Sequence, residues 1–101
     1  MIFQVAYKWT IIVPMKVQGD YRTKDALDSL TVVAGGVTVH GGSGKWWFDS
    51  DFVDEAVAVY QWADPQGKVT DEDIMYVVRA MKLAGETEVY VERKHIDVRI
   101  D

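Results

Sequence analysis

The chain has 101 residues, of which 49% are hydrophobic and 27% charged, with no cysteine and a formal net charge of −5 at pH 7. This length predicts one domain over 1–101 with its own core, and the apolar content excludes intrinsic disorder. The lack of cysteine excludes disulfide-stapled domains and modules built on thiolate-bound zinc or iron–sulfur clusters.

The charge and hydropathy patterns also limit the partners and the location. Sixteen Asp and Glu outnumber eleven scattered Lys and Arg, so we expect no nucleic-acid binding. No apolar run approaches the roughly 20 residues of a membrane span. The first residues, MIFQVAYKWT, lack the basic and apolar regions of a secretion signal, so we expect a cytoplasmic protein without membrane contact.

The first part of the chain predicts a strand and then a helix. From Ile2 to Val13 the odd-numbered residues are apolar or aromatic, which predicts a strand with one buried face that ends at Pro14. Thr23 is the predicted N-cap of the first helix, and apolar residues follow at helical spacing. Gly35-Gly36 then provides the left-handed stop.

The second strand region is interrupted by glycines. It extends from Val37 to Phe48 and contains Gly41-Gly42-Ser43-Gly44, which predicts either one strand with a bulge or a tight hairpin. The hairpin would pair Val37–His40 with 45–48. We favour the bulged strand, because Asp49-Ser50-Asp51 supplies another turn immediately afterwards.

A third strand and a second helix follow. Glu55–Trp62 is apolar on both faces apart from Gln61, which predicts a central strand covered on both sides. Thr70 begins T-D-E-D, close to a capping box, with Asp73 where Glu is usual. An apolar stripe follows, and Gly85 ends the helix.

The last strand changes phase in the sequence. Val89 and Val91 share one face, whereas Ile96, Val98 and Ile100 share the other. This pattern predicts a bulge near Arg93–His95 or a separate short strand. The complete order is β-α-β-β-α-β, and right-handed crossovers place both helices on one face of a four-stranded antiparallel sheet. We therefore predict a ferredoxin-like α+β fold.

The motifs that suggest chemistry are incomplete. In 41-GGSGK-45, Val39 stands where a phosphate loop needs its first glycine, and Trp46 replaces the required Ser or Thr. The residues Asp49, Asp51 and Asp54 resemble the start of a calcium loop without its glycine and its final Glu. Neither pattern predicts a site, and we expect no metal and no cofactor.

His40 and His95 are the acid–base candidates at neutral pH. Neither has the spacing of a metal ligand pair, and no Ser can be matched to a histidine and an acid by spacing. We therefore predict no catalytic residue. The alternative is a small cofactor-independent enzyme that uses His40 or His95 as its acid–base group.

The tryptophans predict an interface. Adjacent Trp46 and Trp47 point to opposite faces of a regular strand, so a large apolar group lies on the face that helices leave open. We expect a homodimer through this open sheet face. The residues His40, Lys45, Trp46 and Trp47 form the candidate binding surface, suited to a planar ligand with an anionic group or to an acidic side chain of a partner.

Two short motifs suggest a family resemblance. Gly35-Gly36-Val37-Thr38, followed by Gly44-Lys45-Trp46, resembles a strand pattern of small uncharacterised bacterial and phage proteins with a dimeric, ferredoxin-like α/β fold. Those proteins also place a strand like Ala58–Trp62 before a helix like Ile74–Ala84. The resemblance covers 22–92 and implies the fold and dimerisation, but no activity. The dimeric ferredoxin-like monooxygenases are similar in fold alone, and no functional residue is carried over from them.

Together these patterns predict a homodimeric binding or regulatory module that acts on a protein or a small molecule. The sequence contains no recognisable set of catalytic residues, but it has many aromatic residues that could contact a partner.

Overall fold

The structure is a computed structural model that describes residues 3–100. Ile2, the start of the first predicted strand, lies outside them. The elements in chain order are β1 (Gln4–Pro14), α1 (Met15–Gln18), α2 (Tyr21–Ala34), β2 (Thr38–Phe48), β3 (Asp51–Asp64), α3 (Asp71–Leu83) and β4 (Val91–Val98).

The four strands form one antiparallel sheet in the order β2-β3-β1-β4. This order, with α2 and α3 as the crossovers, confirms the ferredoxin-like α+β prediction and the central position of β3. The expectation that β3 is covered on both sides is not met, because α2 and α3 pack on one face of the sheet. The prediction of two helices omitted α1, a single turn of four residues directly after Pro14. Pro14 does end the first strand, as expected for a residue without a backbone N–H.

The core lies between one face of the sheet and the helices α2 and α3. Alternate residues of β1 point into it, because successive side chains of a strand point to opposite faces. The buried cluster contains Trp9, Ile11 and Val13 of β1, Ala26, Leu27 and Leu30 of α2, Trp62 of β3, and Ile74, Val77, Val78, Ala80 and Met81 of α3. Within residues 3–100 no helix packs on the opposite face of the sheet, which we call the open face.

Trp62 is the largest fully buried side chain. Its indole Nε1 donates to Thr31 Oγ1 at 2.9 Å, and that hydroxyl donates to the carbonyl of Leu27 at 2.8 Å. The indole ring stacks on Tyr60 with the ring centroids 5.7 Å apart. The β-branched Thr31 therefore stays in a helix because its hydroxyl serves both the helix backbone and a buried polar group.

The first long helix begins earlier than Thr23, which corrects the predicted cap. Asp20 is the N-cap, and its side chain accepts from the backbone N–H of Arg22 at 2.9 Å. The Arg22 guanidinium returns to the same carboxylate at 3.0 Å. An aspartate held in this way is the better cap, and Thr23 is instead buried inside the first turn. Gly35 ends the helix with φ +97°, as predicted.

The second predicted helix is confirmed at both ends. Thr70 Oγ1 accepts from Asp73 N at 3.2 Å, and the Asp73 carboxylate accepts from Thr70 N at 2.9 Å. Aspartate therefore completes the capping box despite its shorter side chain. Gly85 follows the helix with φ +115°.

The strand β2 contains no bulge, which corrects the preferred prediction. Each residue from Thr38 to Phe48 pairs with one residue of β3, from Gln61 back to Asp51, without a break. The tight-hairpin alternative is wrong for the same reason. The three glycines lie within this regular ladder, and none of them adds an unpaired residue to the strand. Each one leaves space on the side of the sheet where a side chain would otherwise lie.

The turn after β2 is the one predicted. Asp49 and Ser50 both have positive φ, at 53° and 65°, so they close a two-residue hairpin. Pairing of β3 with β1 begins only at Val57, and β3 is longer than the predicted 55–62. Residues 43–56 therefore form a two-stranded extension, which we call the arm. The molecule measures 50 × 25 × 20 Å.

The strand β4 is also regular, so the predicted bulge near Arg93–His95 is wrong. Its residues pair with β1 in one register from Val91 opposite Ile11 to Val98 opposite Gln4. Val91 packs against the core, whereas Ile96 faces the open side opposite Ala6. The apolar residues change phase in the sequence because Val91 lies on the core face of the strand, whereas Ile96 and Val98 lie on its open face.

Candidate functional site

The four predicted site residues divide between the two faces of the sheet. Strand alternation places His40 and Trp46 on the open face, opposite Val59 and Val53. It places Lys45 and Trp47 on the opposite face. The four side chains therefore do not form one surface.

On the face of the arm that contains Lys45, two aromatic side chains contact each other. Trp47 meets Phe52 edge to face at a centroid distance of 5.0 Å, and Lys45 Nζ lies 5.4 Å from the Phe52 centroid. The exposed fractions of Trp47 and Phe52 are 66% and 59%. This pair lies beyond the end of β1, outside the core cluster.

On the open face, Trp46 turns back along its own strand. A Cβ placed on Gly44 would lie 2.5 Å from Cζ2 of Trp46, so the indole occupies the space that the glycine leaves. A glycine permits such a close approach because it has no Cβ. The group that approaches is the chain's own tryptophan, and the indole forms one wall of a cavity beside it.

The cavity has a volume of about 430 Å³ and lies at the base of the arm. It is bounded by the open face of β1, β2 and β3 and by the segment that joins α3 to β4. Its lining consists of Ile12, Pro14, Lys16, Trp46, Phe48, Val53, Glu55, Glu86, Thr87, Glu88, Val89 and Tyr90. This size and this mixture of apolar walls and a few polar groups are typical of a small-molecule site.

In the described part of the chain, one lysine and three glutamates carry the charge in the lining of the cavity. Lys16 Nζ lies 3.0 Å from Glu86 Oε1 and 3.6 Å from Glu55 Oε2. The hydrogen bond to Glu86 holds the pKa of Lys16 above its ordinary value. The ammonium therefore remains charged while it bridges the carboxylates of Glu55 and Glu86. The carboxylate of Glu88 lines the same cavity.

A tyrosine on the wall of the cavity is fixed by a neighbouring acid. The Tyr90 hydroxyl donates to Glu92 Oε2 at 3.0 Å, and this hydrogen bond raises the pKa of the Tyr90 phenol. The Tyr90 ring lines the same cavity as Glu88.

Lys16, Glu55 and Glu86 were not predicted as site residues. They are about 30 to 70 positions apart, and only the fold brings them together. The sequence placed Glu55 at the start of a strand, but no spacing rule connects it to Lys16 in α1 or to the segment after α3.

The two histidines lie elsewhere. His40 is exposed on β2, and His95 meets the Tyr7 ring edge to face at 4.6 Å. Arg93 lies 4.7 Å above the same ring. A second hollow of about 490 Å³ lies beside α1 and α2, where Gln18 Nε2 donates to the Tyr60 hydroxyl at 2.9 Å. Neither histidine lines either hollow.

Within residues 3–100, no group of three or more His, Asp or Glu side chains is arranged to hold a metal ion. None of the helices in this range combines the length and the apolar character needed to cross a membrane.

No protein family and no curated protein matches the chain. Solved structures do match in fold. A NIF3-related protein of Bacillus cereus aligns with a TM-score of 0.59 and 13% identity over 95% of this chain, which spans only 27% of that longer protein.

Two smaller proteins align over most of both chains. CPII of Thiomonas intermedia K12, bound to ADP and bicarbonate, has a TM-score of 0.56 and 22% identity over 96% of this chain and 91% of its own. A phage SAM lyase in complex with S-methyl-5'-thioadenosine has a TM-score of 0.55 and 14% identity over 94% and 90%. At these identities the likeness establishes a small α+β fold shared with these proteins.

Proposed function

We propose that this chain is a one-domain, non-catalytic binding module that works as a homodimer through the open face of its sheet. The observation that supports this most is the uncovered apolar surface that the arm presents on this face. Trp46, Phe48 and Val53 have exposed fractions of 41%, 71% and 46%. An uncovered patch of this kind marks an interface in soluble proteins, and two-fold pairing is the commonest way to cover it.

Within this proposal, the small-molecule site is the cavity at the base of the arm. Of the four surface residues predicted from the sequence, Trp46 lines it. His40 shares its face, whereas Lys45 and Trp47 offer a separate surface for a protein partner. Lys45 therefore does not supply the cavity with a donor for an anionic group.

The comparisons support the choice of ligands for a screen. The CPII structure contains ADP, and the phage SAM lyase structure contains S-methyl-5'-thioadenosine. Both are small molecules with a planar adenine ring. Adenine nucleosides therefore belong in the first ligand set for this cavity, whose walls include Trp46, Phe48 and Tyr90.

The alternative, a cofactor-independent enzyme that uses His40 or His95, receives less support. A general acid or base must lie within hydrogen-bond reach of the substrate. Neither histidine borders either of the two hollows described above.

Trp46 and Trp47 are adjacent in sequence but lie on opposite faces of the arm, so alanine substitutions at the two positions form a matched test of the ligand site. We expect Trp46→Ala to abolish small-molecule binding, because it removes a wall of the cavity. Trp47→Ala should leave that binding intact. Both are measured by calorimetry with one ligand set, and circular dichroism confirms that both variants fold. Equal loss of binding in both variants, or a wild type that binds nothing in the set, would contradict the assignment of the cavity.

A further inference from the structure

The charge around the cavity at the base of the arm is unbalanced. Of the residues that the structure describes, Glu55, Glu86 and Glu88 line it together with a single cation, Lys16. A phosphate or carboxylate ligand would meet three negative charges there, and the one ammonium is already paired with two of them. The site is thus electrostatically unfavourable for an anion.

The protein already places a cation beside these carboxylates. The Glu86 side chain is only 10% exposed, and the Lys16 ammonium reaches it from a side chain that is 61% exposed. A buried carboxylate requires positive charge or hydrogen-bond donors near it. Because a carboxylate has about four acceptor positions, one ammonium leaves capacity for further donors from within the cavity.

The apolar part of the lining indicates what kind of cation fits. The aromatic side chains Trp46, Phe48 and Tyr90 form walls of the same cavity. The face of an aromatic ring attracts organic cations, whereas a hard metal ion prefers a shell made only of oxygen ligands. Tyr90 is held in its orientation by the hydrogen bond to Glu92.

We propose that this cavity recognises a small organic ammonium or guanidinium group attached to an apolar, planar body. The cation lies against Glu86 and Glu88, and the body packs against Trp46 and Phe48. The volume of about 430 Å³ accommodates a ligand with one or two rings. This inference rests on the proposed ligand site and adds the charge of the ligand to it.

Three probes of one shape test the sign of that charge: phenethylammonium, 2-phenylethanol and 3-phenylpropanoate. Binding is followed by amide and indole chemical shifts of residues 86–90 and Trp46. We expect the cation to bind on the order of tenfold more tightly than the alcohol, and the anion not to bind.

Glu88→Gln should reduce the affinity for the cation several-fold and leave that for the alcohol unchanged. The matched control is Glu72→Gln, since Glu72 is an exposed glutamate of α3 outside the cavity that pairs with Arg79. Equal affinity for cation and alcohol, or an unchanged cation affinity in Glu88→Gln, would overturn the cation proposal and leave the ligand site in place. Absence of any shift with all three probes would overturn the ligand site as well, while the dimer is measured separately.

Discussion

At the scale of single residues, Gly44 and Trp46 show how a glycine shapes the site. The indole of Trp46 occupies the space where a Cβ at Gly44 would lie, whereas a Cβ at Gly41 would meet no heavy atom within 4 Å. Either glycine permits a close approach because it lacks a Cβ. The sequence could not show which of the two is used, because the answer depends on the rotamer of Trp46.

We therefore expect Gly44→Ala to displace the Trp46 ring and Gly41→Ala to leave it in place. The first variant should change the tryptophan emission and weaken ligand binding at least several-fold, with a small change in the unfolding midpoint, because only the outer end of one side chain must move. Fluorescence of the two variants measures the change in tryptophan emission, and calorimetry measures the change in ligand affinity. Identical behaviour of the two alanine variants would show that Trp46 does not depend on Gly44.

A second residue-scale prediction concerns pH. The Arg22 guanidinium holds the pKa of Asp20 below its ordinary value. A carboxylate with a lowered pKa in the folded state stabilises the protein above its unfolded-state pKa, and that contribution is lost as the pH falls through the lowered value.

Asp20→Asn keeps a side-chain acceptor at the cap and removes the charge. We expect this variant to be less stable than the wild type near neutral pH, with the difference closing in acid. Urea midpoints measured across that range test this. A stability difference that stays constant down to the lowest pH would contradict a role for the ionised carboxylate.

At the scale of elements, the helices were easier to predict than the strands. The T-D-E-D sequence placed the start of α3 correctly because a capping box is local chemistry. Asp20 was missed because its advantage over Thr23 comes from Arg22, two residues further along the chain, whose guanidinium pairs with the Asp20 carboxylate. The regularity of β2 and β4 was missed because a strand register is fixed by the neighbouring strand, which a single sequence pattern does not contain.

The capping box of α3 gives a quantitative prediction. Thr70→Ala removes the acceptor for Asp73 N, which should destabilise the fold by about 1 kcal/mol. The control is Ser29→Ala, at an exposed interior position of α2, which should change stability by only a few tenths of a kcal/mol. Urea unfolding of both variants measures the difference. A Thr70→Ala midpoint equal to that of the wild type would contradict the importance of this cap.

In the molecule as a whole, the arm and the cavity exist because the β2–β3 ladder is longer than the β1–β3 ladder. Pairing of β2 with β3 continues past the point where pairing with β1 ends, so the hairpin extends beyond the sheet and leaves aromatic residues exposed on both of its faces. The alternation of Trp46 and Trp47 was predictable from the sequence. The meeting of Lys16, Glu55 and Glu86 was not predictable, since it requires α1, the base of the arm and the segment after α3 to converge.

A free two-stranded ribbon is only marginally stable in water, which is a further reason to expect the arm and the open face to be covered by a second chain. Sedimentation equilibrium tests this central claim most directly. We predict an average mass of twice the 11.5 kDa chain at micromolar concentration. A mass of 11.5 kDa over the whole accessible concentration range would contradict the account.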